Sequence, residues 1–130
     1  MALAITRSVT QSTTTAGTFQ ALSALGAATV SSSFTVPTNV SSIKNITVSF
    51  SVDAVEEFCG LVKLTGNAMR DGDAVFNAGG QTAMPSSVGA NMMYINIDTD
   101  LAVQPGNSVS YEIATTSAAT IDAVVTCQFA

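Results

Sequence analysis

Ile46-Thr47-Val48-Ser49-Phe50-Ser51-Val52 is the stretch that decides the fold class. Its apolar residues, Ile46, Val48, Phe50 and Val52, fall on every second position, and Thr47, Ser49 and Ser51 lie between them. Successive side chains on a strand point to opposite faces, so this segment makes one apolar and one hydroxyl-bearing face; on a helix the same residues would scatter around the axis. The pattern recurs on both sides. Upstream, Ala28, Val30, Phe34 and Val36 alternate with Thr29, Ser31, Ser33 and Thr35 and run into the turn signal Pro37-Thr38-Asn39. Downstream, Val109, Tyr111 and Ile113 alternate with Ser108, Ser110 and Glu112. The last run sets Ala123, Val125, Cys127 and Phe129 against Val124, Thr126 and Gln128. Segments of one shared period in separate parts of the chain predict an all-β protein.

Weaker strand signals fill the gaps. Residues 58–65 end at Gly66, residues 73–76 are bounded by Gly72 and Gly79-Gly80, and residues 92–97 stop at Asp98-Thr99-Asp100. Residues 6–10 offer a further strand before the polar tract Gln11-Ser12-Thr13-Thr14-Thr15. Residues 20–28 are rich in Ala and Leu and suggest a helical turn, which Gly17 and Gly26 keep short. Pro105-Gly106 is a strong turn signal, because Pro presets φ and Gly tolerates its positive sign. Seven or eight short strands between such turns predict an antiparallel β-sandwich. The connection across residues 77–91 is long and made of small residues, the kind of loop that serves function or assembly.

At 130 residues the chain is expected to be one domain with a core that needs no metal. Charged residues make up only 10% of it, against about 25% in typical globular proteins. A surface carried by Ser, Thr, Asn and Gln resists self-association poorly, which points to an oligomer. Net charge is −5, and the four cations (Arg7, Lys44, Lys63 and Arg70) are scattered, so direct binding of nucleic acid is not expected. No apolar run reaches the roughly 18–20 residues that span a bilayer. The opening Met1-Ala2-Leu3-Ala4-Ile5-Thr6-Arg7 lacks a cationic head with an apolar stretch behind it, so no secretory leader is expected.

Catalysis is hard to staff. The chain has no His, the commonest general base, and no GxSxG, phosphate loop or GxGxxG. Lys44 and Lys63 occupy wet-face strand positions. The expectation is therefore no enzyme, no catalytic residue, no cofactor and no small-molecule substrate. Asp71-Gly72-Asp73 and Asp98-Thr99-Asp100 read first as turn chemistry. Asp71, Asp73, Asp98 and Asp100 are weak candidates for a Ca²⁺ site, which wants six to eight oxygens in a spacing absent here. Cys59 and Cys127 read as buried thiols, with a disulfide between them left open. Asn39-Val40-Ser41 and Asn45-Ile46-Thr47 match the glycosylation pattern, a frequent coincidence in a chain rich in Ser and Thr. Met84, Met92 and Met93 cluster at the long loop as gap-fillers or interface residues. With no Trp and only Tyr94 and Tyr111, aromatic platforms for sugars are scarce.

Phe34-Thr35-Val36-Pro37 leading into Ile46-Thr47-Val48-Ser49-Phe50, the strand end Ile97-Asp98-Thr99-Asp100, Val103-Gln104-Pro105-Gly106 entering Val109-Ser110-Tyr111, and the closing strand to Phe129 form one layout. It resembles the single jelly-roll subunits of icosahedral viruses and phage decoration (cement) proteins, over residues 27–130. The resemblance implies an eight-stranded jelly roll in two Greek keys, with residues 1–26 as an N-terminal arm exchanged between subunits. It implies a virion structural protein, capsid or decoration subunit, located in the virion. Such a subunit acts by homo-oligomeric assembly with copies of itself and with other virion proteins. Ile5, Arg7 and Val9 would form the arm's pairing strand, and removal of residues 2–15 would spare the fold but impair assembly. The family's RNA-gripping basic arm is missing. A strand-exchanged fibre, pilus or surface-layer subunit at the extracellular surface is the alternative, and a carbohydrate-binding β-sandwich module the second.

Overall fold

A computed structural model of the chain describes residues 3–13, 18–22, 33–53, 58–81, 91–115 and 120–130. They form nine strand segments: β1 (Leu3–Thr13), β2 (Gln20–Ala21), β3 (Phe34–Thr35), β4 (Ser42–Asp53), β5 (Phe58–Thr65), β6 (Ala74–Gln81), β7 (Asn91–Ala102), β8 (Ser108–Thr115) and β9 (Thr120–Phe129). No helix occurs among the described residues.

One sheet has the order β1-β9-β4-β7 and the other β2-β8-β5-β6, with β3 pairing to β8 as well. β2 pairs at Ile113 and Glu112 and β3 at Val109 and Ser108, so the two are successive pieces of one position beside β8. Counting them together leaves eight positions. The chain crosses between sheets at every connection except β5 to β6, which is the jelly-roll winding. Every strand pair is antiparallel. The all-β, antiparallel sandwich expected from the alternation is therefore the fold.

The alternation sorts the residues as the period demands. Ile46 and Val48 on β4, Val62 and Leu64 on β5, Val109, Tyr111 and Ile113 on β8, and Val125, Cys127 and Phe129 on β9 are all fully buried between the sheets. Burying side chains of this size stabilises by roughly 1.5–3 kcal/mol each. Phe34 meets both Tyr111 and Phe129 edge-on, at centroid distances of 5.3 and 6.1 Å, the arrangement that ring quadrupoles favour.

The two ends of the sandwich differ. At one end, backbone hydrogen bonds lock the turns together. Val36 N–H donates to Asn107 O at 2.9 Å, Gln104 N–H to Ala68 O at 2.8 Å, Val103 N–H to Ser41 O at 2.9 Å and Ser41 N–H to Ala130 O at 2.8 Å. Gly66 is needed here. Its φ is +132°, and a Cβ at this position would run into the Ser108 carbonyl oxygen and stand 3.0 Å from Val109 Cα. Thr13, Asp53, Gln81, Thr115 and the first residues of β5, β7 and β9 gather at the opposite end.

Several expectations need correction. Residues 3–13 are not an arm outside the sandwich: β1 is a full strand of the first sheet, paired with β9 of the same chain from Leu3↔Phe129 to Thr13↔Thr120. The reason is that β9 and β4 carry apolar core faces that extend under it, and Ile5 packs against that core. The helical turn expected over residues 20–28 begins instead as β2, with Leu22 in the core and its N–H donated to Tyr111 O; residues 23–28 lie outside the described set. The strand expected over residues 28–36 is described only as Phe34–Thr35. The long connection shortens to residues 82–90, because β6 runs on to Gln81 and takes in Gly79-Gly80. Asp98-Thr99-Asp100 does not end a strand but lies inside β7, where cross-strand partners on β4 hold its backbone extended.

Candidate functional site

The outer face of the β1-β9-β4-β7 sheet is read across the strands, since directly paired residues share a face. One row consists of Ser8, Val124, Ser49 and Tyr94, of which Ser8 is buried at 7% exposure. The next consists of Thr6, Thr126, Thr47 and Asn96, and a third of Ala4, Gln128, Asn45 and Asp98. The first two rows carry no charged side chain. Tyr94 is 69% exposed and Val124 38%, and with Val75 they are the large apolar residues exposed to solvent among the described residues. The polar groups satisfy one another. Thr6 Oγ1 and Thr126 Oγ1 share a hydrogen bond of 2.8 Å, Thr47 Oγ1 donates to Asn45 Oδ1 at 3.1 Å, and Asn45 Nδ2 donates to Asp98 Oδ1 at 3.0 Å and to Asn96 Oδ1.

The outer face of the other sheet is organised around charge. Lys63 on β5 stands 3.5 Å from Glu112 Oε1 on β8 and 3.9 Å from Asp73 Oδ2, with the ammonium 5.0 Å from the Phe19 ring centroid. These half-exposed pairs are worth little individually. They place charge in the middle of the face, where the first sheet has none.

The acidic pairs do not converge. Asp100 accepts from Lys44 Nζ at 2.7 Å, Asp98 from Asn45, and Asp73 from Thr65 Oγ1 at 2.7 Å. Alternate positions of β7 place Asp98 and Asp100 on the same outer face, while Asp71 and Asp73 follow the Gly66 turn. Among the described residues no group of three or more His, Cys, Asp or Glu could hold a metal ion. The disulfide left open between Cys59 and Cys127 is not formed, since Cys127 is a free, buried thiol on β9. The backbone of Cys59 lies in the other sheet, opposite Gly80.

Inside the sandwich one polar chain links three strands. Tyr111 Oη on β8 donates to Ile5 O on β1 at 3.0 Å and also hydrogen-bonds Cys127. Burial pushes the Cys127 thiol up to about 12, and the bond with Tyr111 pulls it partly back.

Of the residues expected to serve assembly, Ile5 is a core contact of β1. Arg7 and Val9 pair in backbone register with Val125 and Ala123. Met92 and Met93 pair with Ser51 and Phe50 on β4, and Met84 lies outside the described residues. The Ser8, Val124, Ser49 and Tyr94 row was not singled out from sequence. Its members are spread over four strands, and only the pairing brings them together. The available signal was a Tyr at a wet-face position beside Asn96 and Asp98, and a Val where Ser or Thr would be expected.

The sequence matches no protein-family profile and no curated protein. The fold is similar to viral capsid proteins. In an infectious bursal disease virus VP2 subviral particle the TM-score is 0.54 and identity 13%, over 98% of this chain and 32% of that one. In the Gx strain of the same virus the values are 0.54 and 14%, over 98% and 32%. The globular domain of zebrafish complement 1qA matches with TM-score 0.52 and 13% identity, over 97% of this chain and 94% of that one. The chain spans about a third of the length of the viral chains it matches. At these identities the likeness establishes the fold alone.

Proposed function

We propose that this protein is a virion structural subunit, acting by assembly with copies of itself as a capsid or decoration protein. The observation that carries the reading is the jelly-roll strand order over the whole described chain, together with its likeness to a VP2 subviral particle. Charge supports it. A protein with 10% charged residues and two uncharged rows across one sheet face loses little solvation when those rows are covered. The role needs no catalytic group, cofactor or small molecule, and its location is the virion.

The test is the mass of the purified protein by light scattering, with negative-stain images of the same sample. Closed shells or defined oligomers of the 13.2 kDa chain are expected. A monomer at every concentration tested would overturn self-assembly.

A second reading follows from the complement 1qA match, which covers 94% of that domain and only 32% of the viral chains. Here the chain is a globular head within a longer protein at the extracellular surface. Small closed oligomers without particles would favour it.

A further inference from the structure

We propose that the strip Tyr94, Asn96 and Asp98, on the outer side of β7, binds the pyranose rings of a neutral glycan. The site is independent of the assembly reading.

The three residues occupy alternate positions of β7, and all are exposed. Alternate positions on a strand lie about 7 Å apart on one face, so the three form a line. β7 is an edge strand, which leaves the strip open along one side. A pyranose presents a face of C–H groups and a rim of hydroxyls, each of which can both give and take a hydrogen bond. Tyr94 supplies the flat ring for the C–H face, since the negative face of an aromatic ring attracts the positive ends of C–H dipoles. Tyr111 cannot serve, because it is spent in the core.

Asn45 holds the polar part of the strip in place. From β4 its Nδ2 donates to Asn96 Oδ1 and, at 3.0 Å, to Asp98 Oδ1, while its Oδ1 accepts from Thr47 Oγ1 at 3.1 Å. Both amide hydrogens of Asn45 are thereby used, and one oxygen of each neighbour. Among the described residues this leaves Asn96 Nδ2 as an unpaired donor and Asp98 Oδ2 as an unpaired acceptor, on consecutive positions of the same face. A donor beside an acceptor suits two neighbouring hydroxyls of one sugar ring. Because Asn45 already restrains both side chains, binding costs them little rotamer entropy.

Charge selects the kind of sugar. The Asp98 carboxylate and a net charge of −5 repel acidic sugars and phosphate groups. Lys44, the cation that could attract them, is engaged by Asp100 at 2.7 Å. On the other sheet exposed Val75 pairs with Lys63, whose partners are Glu112 and Asp73, and no exposed ring accompanies them among the described residues. An open face with one ring and two hydrogen-bonding groups binds weakly, with a dissociation constant of roughly millimolar order.

Saturation-transfer NMR suits weak binding to a protein of any assembled size. The probes are the methyl glycosides of glucose, galactose, mannose and N-acetylglucosamine, with N-acetylneuraminic acid as the acidic member. At least one neutral glycoside should receive saturation, strongest on the C–H protons of one ring face, and the acidic sugar should receive less. Tyr94→Ala should abolish the signal and Tyr94→Phe retain it, because the ring does the stacking. Asp98→Ala should weaken binding several-fold, and Val75→Ala on the other sheet should leave it unchanged. No signal with any neutral glycoside, or a signal that survives in Tyr94→Ala, would overturn the site. So would a lower assembled mass for Tyr94→Ala by light scattering, since a second copy would then occupy the face; self-assembly itself would still stand.

Discussion

Cys127 shows what burial does to a single group. The thiol ionises near 9.0 in an exposed setting and is pushed up to about 12 in the folded chain. Between those values the folded state keeps a proton that the unfolded state has lost. Stability therefore falls as pH rises through that window, by about 1.4 kcal/mol per unit, and the group adds no pH dependence below it. Denaturant titrations should show wild-type stability falling more steeply than that of Cys127→Ala from about pH 9 upward; parallel slopes would remove the buried thiol from the account. Its neighbour Tyr111 is fully buried and spends its hydroxyl on Ile5 O and Cys127. Tyr111→Phe keeps the ring and deletes those bonds, so a loss of about 1 kcal/mol is expected from the urea midpoint. An unchanged midpoint would mean the bonds are replaced by water.

At the scale of elements, the turn from β5 to β6 depends on one glycine. Gly66→Ala combines a positive φ with a collision against the Ser108 carbonyl, whereas Gly72, at φ +88°, opens on empty space. Gly66→Ala should therefore cost more than about 2 kcal/mol and Gly72→Ala about 1, read from thermal melting of the two variants; equal losses would show that the turn yields. Strand β1 is the other decisive element. It covers one edge of β9, its Ile5 packs on the core, and Tyr111 reaches its backbone. Deleting residues 2–15 exposes that edge and the Cys127 and Phe129 side of the core. The truncated chain should aggregate or lose its cooperative unfolding transition, the reverse of what an arm would give. A truncated chain with wild-type melting would return β1 to the role of an arm.

For the molecule as a whole, scarcity of charge governs behaviour. Copies that associate repel one another at net charge −5. Salt screens that repulsion over a Debye length of about 10 Å at 0.1 M, so association should strengthen with added sodium chloride. Light scattering across a salt series checks this; dissociation by salt would mean that ion pairs hold the contact.

What the sequence alone determined is the set of properties that travel along the chain. Alternation at Ile46–Thr47–Val48–Ser49 settles which residues of β4 are buried, and Gly66 marks a turn. Period and turn chemistry are local, so a single segment reveals them. Only the tertiary structure decided which strands lie side by side. Ser8 and Tyr94 are 86 positions apart in the sequence and share a row only because β9 and β4 lie between their strands. The same pairing turned residues 3–13 from an expected arm into an integral strand, and it separated Cys59 from Cys127 onto different sheets. Strand pairing is a long-range choice made by the collective burial of one core, and no segment carries enough of that core to announce its neighbours.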